Sequence, residues 1–305
     1  MYNEESNIDF FFERVESVLK TLNTSYEIIC VNDGSRDNTI QSLIKHHQRN
    51  YCIKVINLSR NFGKEIALTA GIDHTSGDAV IPIDADLQDP PELIEELINK
   101  WQEGYDVVYA TRRSRQGESW LKRFTANTFY RIIGKMSHIP IPPNTGDFRL
   151  MDRRVVEALK KMPERTRFMK GLFAWVGFKQ TCILFDREAR FQGKTSWNYW
   201  KLWNFALDGI ISFTLIPLKV WSYIGLVISL ISLLYASFLV IRTLIFGIDV
   251  PGYASIMVAV LFLGGIQLIS LGVIGEYIGR IYEEVKERPL YLVKEYYGFE
   301  NQHLV

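Results

Sequence analysis

Two long stretches of this chain lack charge altogether. Residues 220–241 contain no Asp, Glu, Lys or Arg, and neither do residues 251–275, although 23% of the whole chain is charged. Each run exceeds the roughly 20 residues that cross a bilayer. Two transmembrane helices are the simplest expectation; the alternative is a buried hairpin, but core helices of soluble proteins rarely go so long without charge. Cysteine is scarce. The 3 present, Cys30, Cys52 and Cys182, lie in apolar strand-like contexts without pairing or metal-ligand spacing, which excludes a disulfide scaffold and fits a reducing compartment. No cleavable signal peptide is read at the N-terminus. Net charge is +1 and no basic run interleaves with aromatics, so nucleic acid is not an expected partner. No Gly-x-Gly-x-x-Gly follows a strand, which argues against a nicotinamide enzyme. Gly193-Lys194-Thr195 half-resembles a phosphate loop, but Glu188 stands where the Walker pattern needs glycine.

What is present divides the chain. Lys194, Lys201 and Lys219 precede the first apolar run, and Arg280, Lys286, Arg288 and Lys294 follow the second. Basic flanks stay in the cytoplasm, so both ends are expected there, and the short connecting loop, with only Arg242 and Asp249 as charges, has no room for a catalytic domain. Trp197, Trp200, Trp203, Leu207 and Ile211 recur near helical spacing, with Lys201, Asn204, Asp208 and Ser212 on another side. That pattern reads as a helix lying in the bilayer interface, or alternatively as a core stripe. The expected domains are a cytoplasmic domain over 1–195, an interfacial segment over 196–218, a transmembrane hairpin over 219–280 and a cytoplasmic tail over 281–305.

Strand-like and helix-like stretches alternate before that. Residues 26–31, 53–58, 80–84 and 107–111 are β-rich, and helical stretches start near Asp37, after Lys64 and at Pro91. The alternation predicts an α/β domain with a mostly parallel sheet and helices on both faces. Tyr2-Asn3-Glu4-Glu5 reads as the loop after a strand, so a preceding strand is expected to be absent or lost. The organising stretch is 80–91, where Asp84, Asp86 and Asp89 reach the end of a strand before Pro90 and Pro91 open a helix. Strand ends in open α/β sheets are where ligands bind. Three carboxylates with the Gln88 amide form a hard oxygen set suited to Mg²⁺ or Mn²⁺; the alternative is an acidic surface turn with Asp89 capping the helix.

These motifs carry a resemblance. Tyr2-Asn3-Glu4-Glu5, Asn32-Asp33-Gly34-Ser35, Asn61-Phe62-Gly63-Lys64, the run 84–90, Gly146-Asp147-Phe148-Arg149, the run 190–197 and the run from Gly275-Glu276-Tyr277 to Pro289 occur in an order that resembles family 2 inverting glycosyltransferases of the polyprenyl-phosphate branch. The likeness is nearest to bacterial enzymes that glucosylate undecaprenyl phosphate, and more distant to dolichyl-phosphate mannosyltransferases. It implies a glycosyltransferase type A fold, a nucleoside diphosphate sugar as donor, a divalent ion and a polyprenyl phosphate acceptor in the bacterial inner membrane. By resemblance, Asp86 and Gln88 are direct metal ligands and Asp84 reaches either the ion or the ribose. Asp33 faces base and ribose with Glu4 nearby, Lys64 and Arg190 belong to the donor site, and Lys194, Thr195 and Ser196 lie against the donor phosphates. Arg113, Arg123 and Asn127 are directed to the acceptor phosphate, whose oxygens suit the planar fork of arginine. Asp147 and Arg149 fall where inverting relatives place an acidic residue beside the acceptor; a turn or helix-cap role is the alternative for Asp147. Asn32 departs from the pattern, which commonly has Asp there.

The expected activity is therefore transfer of one sugar, glucose from UDP-glucose foremost, with GDP-mannose and UDP-N-acetylglucosamine as alternative donors. A processive synthase is disfavoured because no Arg-Trp pair occurs in the chain. A noncatalytic membrane scaffold or lipid-transport module is the alternative of another class, and self-association into a homo-oligomer is open.

Overall fold

The computed structural model describes residues 1–22, 24–113, 145–162, 164–165, 167–185, 216–246 and 252–299. The chain divides into two compact units, Met1–Ala206 with Arg288–Val305, and Leu207–Glu287.

In the first unit, apolar spacing sets the elements. Helix α1, Glu5–Thr21, buries Ile8, Phe11, Phe12 and Val15, the one-faced stripe of an amphipathic helix. These pack on Cys30, Leu43, Ile53 and Val55 from β1 (Ile28–Asn32), α2 (Thr39–Arg49) and β2 (Ile53–Leu58). The Asp37 carboxylate accepts hydrogen bonds from the Thr39 amide at 3.1 Å and hydroxyl at 2.6 Å, giving a partner to a donor that the first turn of α2 leaves open. Then come α3 (Lys64–Asp73), β3 (Ala79–Val80), a 3₁₀ turn (Pro91–Leu93), α4 (Ile94–Gln102), β4 (Val107–Arg112) and β5 (Thr145–Asp152). The Asp152 side chain caps α5 (Arg153–Lys160) by accepting from the Arg154 amide at 2.9 Å, and α6 (Met169–Trp175) and β6 (Gln180–Phe185) follow. A second cluster joins Ile94, Leu97, Val108, Phe148, Leu150 and Ile183, so α4 covers β4, β5 and β6.

The sheet differs from the expected, mostly parallel one. There are two sheets, ordered β1-β2-β7 and β3-β5-β4-β6, with β7 formed by Val293–Tyr297. The β1/β2 and β4/β6 pairs are parallel, whereas β2/β7, β3/β5 and β4/β5 are antiparallel. Two strands cause this. β5 inserts between β3 and β4 in the opposite direction, and β7 returns from the far end of the sequence to close the edge of β2. Of the segment expected as a tail over 281–305, the part from Arg288 onward thus belongs with the first unit. The strand expected over 80–84 stops at Val80, because Pro82 has no N–H to give to a ladder.

The second unit holds α7 (Ile216–Phe246) and α8 (Tyr253–Val285). Both exceed the uncharged runs that predict them, and α8 continues through Glu276 and Arg280, which pair one turn apart at 3.4 Å. On α7, Leu226, Leu230, Leu234, Phe238 and Ile241 are exposed. Among the described residues one stretch, Phe262–Val285, is long and apolar enough to cross a membrane. The interfacial pattern over 196–215 lies outside the described residues.

Candidate active site

The site is assembled from three loops and one strand. β1 ends in the turn Asn32-Asp33-Gly34-Ser35, and Asp33, buried at 3% exposure, accepts hydrogen bonds from the Phe62 amide at 2.7 Å and the Gly63 amide at 3.0 Å. Gly34 is required here twice over: its φ is +64°, and a Cβ would fall 2.4 Å from the Arg60 carbonyl carbon, well inside contact distance. The turn and the 60–63 loop are therefore one knitted piece, and Lys64 leaves it as the first residue of α3. Burial raises the Asp33 pKa against the two amide hydrogen bonds.

Lys64 reaches across to two carboxylates. Its Nζ lies 2.7 Å from Asp84 Oδ2 and 2.8 Å from Asp147 Oδ2. Asp84 comes from the loop after β3 and Asp147 from β5, so residues far apart in sequence meet on one ammonium. The lysine is half exposed while the Asp147 side chain is 12% exposed. Burial opposes the Asp147 charge, but Lys64 and Lys170 overcome it and hold its carboxyl below the usual range. Burial likewise opposes the Lys64 charge and is outweighed by Asp147 and then Asp84, which keep it protonated above its ordinary range.

Arg149, two residues along β5 on the same face as Asp147, is 5% exposed. It donates from Nη2 to the Gly146 carbonyl at 2.9 Å, and its guanidinium lies 4.0 Å from the centre of the Phe173 ring, a cation–π contact. Burial lowers its pKa to about 10 despite Asp147, so it stays charged at neutral pH. Glu65 follows Lys64 and accepts the Met169 amide at 2.9 Å, which ties the start of α6, with Lys170 and Phe173, to the start of α3. Burial and then Asp147 push its pKa up to about 7.

In the acidic loop, the Gln88 backbone N–H donates to Asp86 Oδ1 at 3.2 Å, and Leu87 is buried at a φ of +52°, so the chain turns sharply between the two. Asp89 is buried, and its Oδ2 lies 3.9 Å from where a Cβ on Gly146 would be, at the start of β5. Among the described residues no three His, Cys, Asp or Glu side chains gather to hold an ion.

The structure thus brings together Lys64, Asp84, Asp147 and Arg149. Glu4 serves the start of α1, its carboxylate accepting from Asn7 Nδ2 at 2.6 Å. Arg113 is exposed, and its amide donates to the Phe185 carbonyl at 3.0 Å, extending the β4/β6 pairing. Arg123, Asn127, Arg190, Lys194, Thr195 and Ser196 lie outside the described residues. Sequence reasoning missed Glu65, Lys170 and Phe173, since an acid in a first helical turn reads as an ordinary complement to the helix dipole.

Comparison with known proteins identifies the family. Residues 1–160 match the model of glycosyl transferase family 2, and residues 216–281 match that of the GtrB C-terminal hairpin. A glycosyltransferase of Synechocystis sp. is 71% identical over 98% of this chain and 94% of its own length. The SfII prophage-derived bactoprenol glucosyl transferase of Shigella flexneri is 50% identical over 97% of this chain and 96% of its own length. The glycosyltransferase YkcC of Bacillus subtilis is 47% identical over 100% of this chain and 94% of its own.

Proposed function

The chain belongs to glycosyl transferase family 2 and is a glycosyltransferase, and from that premise we propose that it transfers glucose from UDP-glucose to polyprenyl phosphate, undecaprenyl phosphate foremost, with inversion, at the cytoplasmic leaflet. The observation that carries this reading is the single ammonium of Lys64 shared by Asp84 and Asp147. It joins the acidic loop that would meet a donor diphosphate to the strand that would meet an acceptor. The choice of glucose and polyprenol is supported by the bactoprenol glucosyl transferase at 50% identity.

The nucleophile in this reaction is a phosphate monoester oxygen, which attacks the anomeric carbon as the bond to UDP breaks. Its second pKa is about 6, so at neutral pH it is largely a dianion and needs no base. Asp147 fits a positioning task accordingly: its charge is fixed by Lys64, and with Arg149 beneath it the pair stabilises charge at the reacting centre. Two carboxylates and an amide do not make an all-protein cage, but they fit Mg²⁺ or Mn²⁺, whose remaining positions go to water and substrate phosphates. Asp84, Asp86 and Gln88 would hold that ion, which when bound neutralises charge on the departing diphosphate. Arg113, Arg123 and Asn127 are proposed for the acceptor phosphate, and Arg190, Lys194, Thr195 and Ser196 with Asp33 and Glu4 for the donor.

Both α7 and α8 are proposed to span the bilayer, with the first unit in the cytoplasm. A cysteine at Gly247→Cys should then react with an impermeant thiol reagent from outside intact cells and one at Lys294→Cys should not; the opposite labelling overturns the placement. The activity itself is tested by incubating purified enzyme and undecaprenyl phosphate with radiolabelled UDP-glucose, GDP-mannose or UDP-N-acetylglucosamine. Lipid-linked label from UDP-glucose is expected. Label from another donor corrects the sugar, and none from any donor removes the proposal.

A further inference from the structure

Strand registers place Asn32 beside Asn57 and Asn57 beside Glu295, so one row crosses β1, β2 and β7. Asn32 and Asn57 are buried, at 2% and 7% exposure, and buried amides must be satisfied by partners. Asn32 Nδ2 donates to Asn57 Oδ1 at 2.8 Å, and Asn57 Nδ2 donates to Glu295 Oε2 at 2.7 Å. We propose that Glu295 is a positioning residue for the donor site, acting through Asn57 and Asn32 on the turn that carries Asp33.

The row has a direction. An ionised carboxylate only accepts, so Glu295 makes Asn57 turn its NH₂ toward β7 and its carbonyl toward Asn32. Asn32 must then give its NH₂ to Asn57, which leaves its own carbonyl to accept the Ser35 amide at 3.3 Å. That bond closes the turn whose Asp33 carboxylate holds the Phe62 and Gly63 amides immediately before Lys64. A strand 238 residues from Asn57 thereby orients the donor-side turn. The direction also accounts for asparagine at position 32, where the resemblance leads one to expect Asp: an ionised aspartate has no proton to give Asn57.

The proposal rests on the donor site assigned above, and its test separates the two. Glu295→Gln, Glu295→Ala and Glu295→Lys are compared in the full-length enzyme, with Lys294→Ala as the same-strand control. Glutamine can still present an oxygen to Asn57, alanine presents nothing, and lysine, a donor only, reverses both amides so that Asn32 meets the Ser35 N–H with a second donor. The KM for the donor should rank Gln near wild type, Ala higher and Lys highest, about tenfold or more above wild type, the scale of one buried hydrogen bond lost. The kcat should move little, since the row touches no reacting atom, and Lys294→Ala should match wild type. Hydrogen exchange at the Ser35, Phe62 and Gly63 amides should quicken in the same order. Exchange is read whether or not glucose is transferred, so an inactive wild type with ranked exchange removes the donor assignment and leaves the row standing. Equal exchange and equal donor KM across Gln, Ala and Lys overturn the positioning role.

Discussion

Across β1, β2 and β7 the buried polar groups are neutral amides that end on one exposed carboxylate, whereas around β5 they are ions: Lys64 between Asp84 and Asp147, with Arg149 nearby. Both arrangements tie distant parts of the chain together. They differ in what else they are able to do. An amide row keeps its geometry as long as the Glu295 carboxylate that ends it stays ionised, because nothing in its interior titrates, and an unpaired amide there is costly. An ion cluster carries a desolvation penalty that its internal pairing has to repay, but its charges are available to a charged substrate. The row therefore fits a fixed support and the cluster fits a working site, and the 60–64 loop, which Asp33 holds, lies between them.

The largest effect should come from breaking the cluster. Lys64→Ala leaves Asp84 and Asp147 without their shared cation, and kcat should fall by about 10²-fold or more, the scale of one lost preorganised electrostatic contact. Asp147→Asn should lower kcat by a similar factor with no steeper dependence on pH between about 6 and 8, the range above the acceptor's own titration. Rates at saturating donor across that range decide the matter. An Asn variant that recovers toward wild type as pH rises would identify Asp147 as a general base instead.

The next effect comes from removing the row's outer strand. A chain ending at residue 215 keeps Lys64, Asp84 and Asp147 but loses β7. Ile56, Leu58 and Val31 then lose Tyr291, Val293, Tyr296 and Phe299, which pack on them, and Asn57 loses Glu295. Burying one large apolar side chain is worth about 1.5–3 kcal/mol, so this chain should melt well below the full-length enzyme and bind UDP weakly. Joining residue 215 to residue 288 through a flexible linker should restore both. If the truncated chain binds UDP as the full-length enzyme does, β7 is dispensable to the donor site.

This dependence on β7 was not legible in the sequence. The β2 boundaries were, because Ile53 to Leu58 is an apolar run bounded by polar residues, and so was the acidic loop, whose spacing is local. β5 was hidden because Asp147 and Arg149 break the apolar alternation that marks a strand. β7 was hidden because Lys-Glu-Tyr-Tyr reads as solvated, and its pairing partner is more than two hundred residues away. One local signal did exist: Asn57 interrupts the run Ile-Lys-Val-Ile-Asn-Leu, and a polar residue inside a buried strand calls for a partner. The Lys64 bridge had no such signal, since Asp84 and Asp147 become neighbours only when β5 lies beside β3.

The smallest effect sharpens the comparison through pH. Glu65, at the edge of the ion cluster, has its pKa pushed up to about 7 from an ordinary 4.5 by burial and by Asp147. A carboxyl whose folded pKa is raised binds its proton more tightly in the folded state, so folding takes up a proton between those values. Its contribution to stability is complete below about 4.5 and is lost as pH climbs through about 7. Glu65→Gln keeps an oxygen to accept the Met169 amide but cannot titrate. Relative to wild type, the Gln variant should therefore gain stability as pH rises, by on the order of 1–2 kcal/mol between pH 4.5 and 8 after allowance for partial solvent screening. Thermal melts of both proteins at pH 4.5, 6 and 8 measure this as a widening difference in Tm. The same comparison for Asn57→Ala should show a difference that stays level between pH 6 and 8, because Asn57 has no proton to exchange and Glu295, whose carboxyl Asn57 holds below its usual range, is ionised there. A constant difference for Glu65→Gln would mean that folding leaves its carboxyl pKa unshifted and that Glu65 belongs with the fixed supports.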